Sequence, residues 1–176
     1  TDAKTLSQIS TGKKENKFGV NQKVFLQLVN YLKKSRHLSL KCLSVHIGSQ
    51  ILNHKPYQNM LRAIDKIIKK SNYKFEYIDL GGGMGIDYRH NNSRLNLRKY
   101  SEYIEKFLKT NNCKIIFEPG RSIVGNSGIL ITKIIYIKPG YKKDFVILDS
   151  AMNDLMRPAL YGASHKIIPL KKILKN

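Results

Sequence analysis

Phe75-Glu76-Tyr77-Ile78-Asp79-Leu80-Gly81-Gly82-Gly83 runs from a short apolar segment straight into three glycines. The segment reads as a strand and the glycines as the turn that leaves it. The pattern recurs on both sides. Leu40 to Ile47 leads into His46-Ile47-Gly48-Ser49-Gln50, and Lys114 to Phe117 opens into Glu118-Pro119-Gly120-Arg121. Between these runs lie apolar stripes of helical period. Val24, Phe25, Leu28, Val29 and Leu32 form the first; Tyr57, Met60, Leu61, Ile64, Ile67 and Ile68, opened by Pro56, form the second; Leu97, Tyr100, Ile104, Phe107 and Leu108 form the third. Strands alternating with helices imply βαβ units and a parallel sheet, and the glycine-bearing turns fall just past the strand ends, where α/β folds hold their ligands. Glycine leaves backbone N–H groups open to a close anion, so the expected ligand is a phosphorylated cofactor. A plain tight turn is the alternative reading of Gly81, Gly82 and Gly83.

Past Gly125 the pattern changes. Gly128 to Lys138 is strand-like, Pro139-Gly140 is a turn signal, and Asp144 to Asp149 reads as another strand with no helix between. A second, β-rich domain is expected to begin there. Tyr88 to Asn96 reads as a solvated loop. Composition and period alone leave a closed barrel and an open doubly wound sheet both standing.

With 41% hydrophobic and 25% charged residues, the 176-residue chain has ordinary globular composition. Its formal charge of +20 is the footprint of a nucleic-acid binder. The cations, however, are dispersed in pairs such as Lys13-Lys14, Lys33-Lys34, Lys69-Lys70 and Lys142-Lys143, without interleaved aromatic platforms. No specific nucleic-acid partner is expected. No apolar run approaches the roughly 20 residues that span a bilayer, and no signal-peptide pattern follows Thr1, so neither a membrane partner nor export is expected. Cys42 and Cys113 stand apart, read as buried thiols, and fit a reducing cytoplasm. His37, His54, His90 and His165 lack metal-ligand spacing, and no metal is expected.

Among the polar residues, Glu118 follows a strand of buried type, where a carboxylate needs a partner. On the residues alone that partner is Arg121, in a simple ion pair. Arg121 and Arg157 suit bidentate capture of carboxylates, although an arginine before proline is commonly a surface residue. His46, among apolar neighbours, reads as a satisfied core histidine.

Taken together, Lys17-Phe18-Gly19, His46-Ile47-Gly48-Ser49-Gln50, Asp79-Leu80-Gly81-Gly82-Gly83, Glu118-Pro119-Gly120-Arg121 and Met156-Arg157-Pro158-Ala159-Leu160-Tyr161-Gly162 resemble, in order, the diaminopimelate decarboxylases. These are pyridoxal-phosphate enzymes of lysine biosynthesis, and the resemblance runs from Asp2-Ala3-Lys4-Thr5 to about Pro169. It implies a partial (β/α)8 TIM-type barrel, its later units in residues 1–124, and the opening of a C-terminal β domain in 125–176. It implies that pyridoxal 5'-phosphate is held by His46, Ser49, Gly81, Gly82, Gly83, Glu118, Pro119, Gly120 and Arg121, with Gly83 donating to the phosphate, His46 stacked on the ring and Glu118 on the ring nitrogen. It further implies that meso-diaminopimelate is gripped by Arg121, Arg157 and Tyr161. A homodimer is implied for the complete enzyme.

The same resemblance shows what is missing. The family's cofactor-carrying lysine lies in a Tyr-Ala-x-Lys-Ala-Asn type of block, and its proton-donating cysteine in a late Cys-Glu-rich block; neither block occurs here, so no catalytic residue is assigned. Leu6 stands where the family usually has His. The expectation is a fragment, a split-gene product or a remnant, inactive alone unless a companion chain supplies those segments. A related decarboxylase of another diamino acid, and a noncatalytic cofactor- or nucleic-acid-binding module, are the competing readings.

Overall fold

Helix, strand and turn follow one another from Gln22 to Val124 in the computed structural model, which describes residues 18–88 and 91–170. Asp2-Ala3-Lys4-Thr5, Leu6, Lys13, Lys14, Lys17 and His90 lie outside the described residues. The chain divides into two compact units, Thr1–Ile86 with Ser93–Gly125, and Asp87–Asn92 with Asn126–Asn176.

The first unit carries α1 (Gln22–Leu32), β1 (Cys42–Ser44), α2 (Lys55–Ser71), β2 (Tyr77–Asp79), α3 (Leu97–Asn111), β3 (Lys114–Ile116) and the single turn α4 (Arg121–Val124). The strands form a parallel sheet in the order β1-β2-β3. Local chemistry sets the helix ends. Asn21 Oδ1 accepts from Val24 N at 3.0 Å and Asn96 Oδ1 from Lys99 N at 2.9 Å, each satisfying an orphan donor, and Pro56 sits in the first turn of α2. At the other ends Asn72 (φ 44°) and Asn112 (φ 38°) close α2 and α3 in the left-handed conformation.

The core lies where the apolar stripes meet the sheet. Val29, Tyr57, Met60, Ile64, Ile78 and Leu80 are buried almost completely, and each contributes about 1.5–3 kcal/mol of transfer free energy. Strand β2 is central, so Ile78 and Leu80 bury on one face while Asp79 turns to the other. Edge position decides the rest. Strand β3 pairs on one side only, and its Ile116 and the following Phe117 remain exposed, against the expectation of a buried strand. Val24, Leu28 and Leu97 also lie exposed at the margins of their stripes.

In the second unit β4 (Ile134–Lys138) pairs antiparallel with β5 (Phe145–Leu148), with a register shift between Ile134 and Tyr136, and α5 (Arg157–Tyr161) follows. Asp149 Oδ1 closes the open end of the hairpin, accepting from Lys133 N at 2.8 Å and Thr132 Oγ1 at 2.7 Å. Those bonds, the backbone one first, hold its carboxyl below the ordinary range. Both strands of this hairpin are largely exposed, because a two-stranded ribbon has no covering layer of its own. No described helix is long and apolar enough to cross a membrane.

Candidate functional site

Register places the site. Ser44, Asp79 and Ile116 are paired across the sheet, so all three strands end level and release their turns at one edge. Backbone bonds then lace the turns together. Val45 N donates to Asp79 O and Ile51 N to Gly83 O, both at 2.9 Å, while Glu118 N donates to Gly81 O at 2.9 Å. Gly81 (φ 63°) and Gly83 (φ 87°) need the left-handed region. Space also demands glycine here. A Cβ on Gly82 would collide with the Glu118 carbonyl oxygen and one on Gly83 with the Gly48 carbonyl oxygen. The glycines therefore serve the close packing of three turns, as the plain-turn reading expects.

Two buried groups hold this turn from behind. The Tyr57 hydroxyl donates to Gly82 O at 3.2 Å, and its ring packs 4.4 Å from that of Tyr100. Asp79 accepts from Gly81 N at 2.8 Å and from Ser44 Oγ at 3.1 Å, a structural role for this carboxylate. Burial pushes the Tyr57 hydroxyl far up, with the neighbouring Tyr100 adding to it, and pushes Tyr100 to about 12. Both phenols stay neutral hydrogen-bond donors at physiological pH.

The sequence-predicted residues His46, Ser49, Gly81, Gly82, Gly83, Glu118, Pro119 and Gly120 stand in these three turns, and Arg121 opens α4 directly after the third. His46 corrects its core reading: it is exposed two residues past β1, with Nδ1 3.4 Å from Gly82 N. Glu118 is likewise exposed, and its expected pair with Arg121 is absent from the ion pairs of the described residues. An edge strand leaves that carboxylate in water, which removes the need for a buried partner. Arg121 Nη1 donates instead to Gln50 Oε1 at 2.9 Å. Gln50 was not singled out in the sequence. A glutamine in a turn reads as a solvent-facing residue, and its partner lies far downstream.

In the second unit, Arg157 and Tyr161 open and close α5, with the guanidinium carbon 5.6 Å from the ring centroid. Arg157 is half-buried and its Nε has no hydrogen-bond partner among the described residues. Cys42 and Cys113, expected to be buried, are only half-buried; desolvation still raises both thiols, at Cys42 against a backbone bond at Asp79 that lowers it. Neither is an activated nucleophile. No cluster of three His, Cys, Asp or Glu side chains occurs among the described residues.

The profile of the family described as "Pyridoxal-dependent decarboxylase, pyridoxal binding domain" matches residues 1–125. The chain belongs to this family. Among pyridoxal-dependent decarboxylases, it is 42% identical over 170 residues to the diaminopimelate decarboxylase of Neisseria meningitidis serogroup B, a match covering 94% of the chain and 41% of the relative. Against the Aquifex aeolicus diaminopimelate decarboxylase the identity is 38%, over 97% of the chain and 41% of the relative. The crystal structure of the Helicobacter pylori diaminopimelate decarboxylase complexed with L-lysine superposes with a TM-score of 0.87 at 40% identity, covering 97% of the chain and 44% of that structure. A lysine/ornithine decarboxylase from Vibrio vulnificus, at 18% identity and a TM-score of 0.76, shares the fold. The chain thus spans about two-fifths of the relatives it matches.

Proposed function

We propose that this chain is part of a diaminopimelate decarboxylase, converting meso-diaminopimelate to L-lysine and CO2 with pyridoxal 5'-phosphate. In this reading residues 1–124 are the later units of a (β/α)8 barrel and 125–176 begin a β domain. The observation that carries it is the level ending of β1, β2 and β3, which gathers the glycine turn, an imidazole, a carboxylate and a guanidinium at one sheet edge.

That donor set fits the cofactor. The N–H of Gly83 has no acceptor among the described residues, and Ser49 lies in the adjoining turn. These groups bind the phosphate, as backbone amides of a Gly-rich turn do. The exposed His46 would contact the cofactor ring, and the exposed Glu118 would keep its ring nitrogen protonated. When bound, the cofactor supplies the electron sink for the pair left behind as the carboxylate departs. Arg121 orients the reacting end of the substrate, and Arg157 with Tyr161 grips the distal carboxylate, which ornithine-type substrates lack. The complete enzyme is a homodimer in the cytoplasm. The lysine that carries the cofactor and the proton-donating cysteine belong to segments outside these 176 residues.

The test is release of lysine and CO2 from meso-diaminopimelate with pyridoxal phosphate. It is run with this chain alone, and with the chain mixed with the amino- and carboxy-terminal portions of a relative. Activity only on mixing is expected. Turnover by the chain alone would overturn the statement that the essential lysine lies elsewhere. Turnover of ornithine in preference to diaminopimelate would overturn the substrate.

A further inference from the structure

We infer that Gln50 is a positioning residue: its carboxamide ties the turns after β1 and β2 to Arg121 and aims that guanidinium at an anionic oxygen of the ligand. The inference rests on the reading above. Three hydrogen bonds carry it. Gln50 Nε2 donates to Ile86 O at 2.6 Å, and Gln50 Oε1 accepts from Ile86 N at 3.3 Å and from Arg121 Nη1 at 2.9 Å. This pattern determines the amide orientation, since a flipped group would set its NH2 against two donors. The backbone is committed as well. Gln50 holds φ 61°, a conformation that side chains other than glycine, asparagine and aspartate seldom take and that persists where surrounding contacts demand it.

Neighbouring glycines close the clamp. A Cβ on Gly85 would stand 3.0 Å from the Gln50 carbonyl carbon and from Oε1, so the turn after β2 presses directly on the carboxamide. A Cβ on Gly125 would stand 2.6 Å from Ile86 Cδ1 and 3.2 Å from Arg121 Cγ, so the arginine stem is confined on its other side. The stem is packed and the head is tethered.

The chemistry of the tether matters. Glutamine accepts from the guanidinium without neutralising it. A glutamate at this position would offer the same shape, keep an acceptor for Arg121, lose the donation to Ile86 O and cancel the charge. That difference separates positioning from packing.

The experiment measures affinity of the 176-residue chain for pyridoxal 5'-phosphate, inorganic phosphate and meso-diaminopimelate, in the unsubstituted chain, Gln50→Met, Arg121→Met and the double variant, with thermal unfolding alongside. If Gln50 acts through Arg121, each single change weakens binding about tenfold and the double change no further. Independent losses multiplying to about a hundredfold would overturn the inference. Coupling with phosphate assigns the anion to the cofactor, and coupling with diaminopimelate alone assigns it to the substrate. Gln50→Glu is expected to weaken anion binding as much as Gln50→Met does, although it keeps an acceptor for Arg121; full affinity in Gln50→Glu would also overturn it. Should the unsubstituted chain bind none of the probes, binding is measured again after mixing with the amino- and carboxy-terminal portions of a relative, and the functional reading fails if the mixture binds none either. The positioning contact is then judged by the Arg121 Nε–H nuclear magnetic resonance signal, which Gln50→Met must shift or broaden; an unchanged signal sinks it.

Discussion

At the scale of single residues, Gly83 and Gly120 sit in neighbouring turns and make opposite demands. Gly83 has φ 87° and no room for a Cβ against the Gly48 carbonyl; Gly120 has φ −90° and nothing within 4 Å of an added Cβ. Gly83→Ala is expected to cost at least about 2 kcal/mol, from the left-handed penalty and the backbone overlap together. Gly120→Ala should stay within about 1 kcal/mol of the unsubstituted chain, because it meets no steric obstacle. Chemical denaturation of both variants checks this, and equal stabilities would refute it. Tyr57→Phe leaves Gly82 O without its buried donor, a loss of about 1–2 kcal/mol in the same measurement. The phenol also imposes a pH dependence. Tyr57 and Tyr100 have folded pKa values above the ordinary tyrosine value, so the unfolded chain loses these protons first. Their stabilisation is whole below about pH 10 and falls as pH rises from there through about 12. Alkaline titration of the unfolding midpoint should show that decline, and Tyr100→Phe should flatten it. The glycine turn was legible in the sequence because glycine has few other reasons to be tripled after a strand. Gln50 was not, since a hydrogen bond between residues 71 positions apart leaves no local trace.

Secondary-structure elements differed in legibility for a reason of geometry. The stripe of α2 put Tyr57, Met60, Leu61 and Ile64 on one face, and all four are buried, because a long helix against a sheet averages over many contacts. The strand runs were expected to be longer than they are. Leu40 to Ile47 supplies only Cys42–Ser44 to the ladder, since its last residues leave the sheet to build the site. Helix ends carry a prediction of their own. Asn72 and Asn112 occupy left-handed positions where asparagine is tolerated and β-branched side chains are not. Asn72→Gly is expected to change stability by less than about 1 kcal/mol, and Asn72→Val to lower it by about 1–2 kcal/mol. Thermal unfolding of the pair decides it. A Val variant as stable as the Gly variant would mean that the cap is not held left-handed in solution.

For the molecule as a whole, the charge of +20 and the topology make a joint statement. In a βαβ unit each helix carries the chain back from the carboxyl to the amino ends of the strands, so helix C-termini lie opposite the candidate site. Lys33 and Lys34 end α1, Lys69 and Lys70 end α2, and Lys109 ends α3, all at that far side. Two are already engaged: Lys33 Nζ donates to Ser71 O at 2.7 Å and Lys69 pairs with Asp65 at 2.7 Å. Sequence composition disclosed the charge but not that these five lysines share the far side, which the return path of the helices creates. The arrangement predicts polyanion binding that is electrostatic, indifferent to sequence and remote from the cofactor. Anisotropy titrations with two unrelated DNA duplexes should give matching affinities at each salt concentration. Both should fall by about a thousandfold or more between 50 and 200 mM salt if six or more phosphates are neutralised. Pyridoxal phosphate affinity, measured with and without saturating DNA at the lower salt, should not change. A preference for one duplex that survives the higher salt would instead identify a base-reading surface, and displacement of pyridoxal phosphate by DNA would place the polyanion at the strand ends.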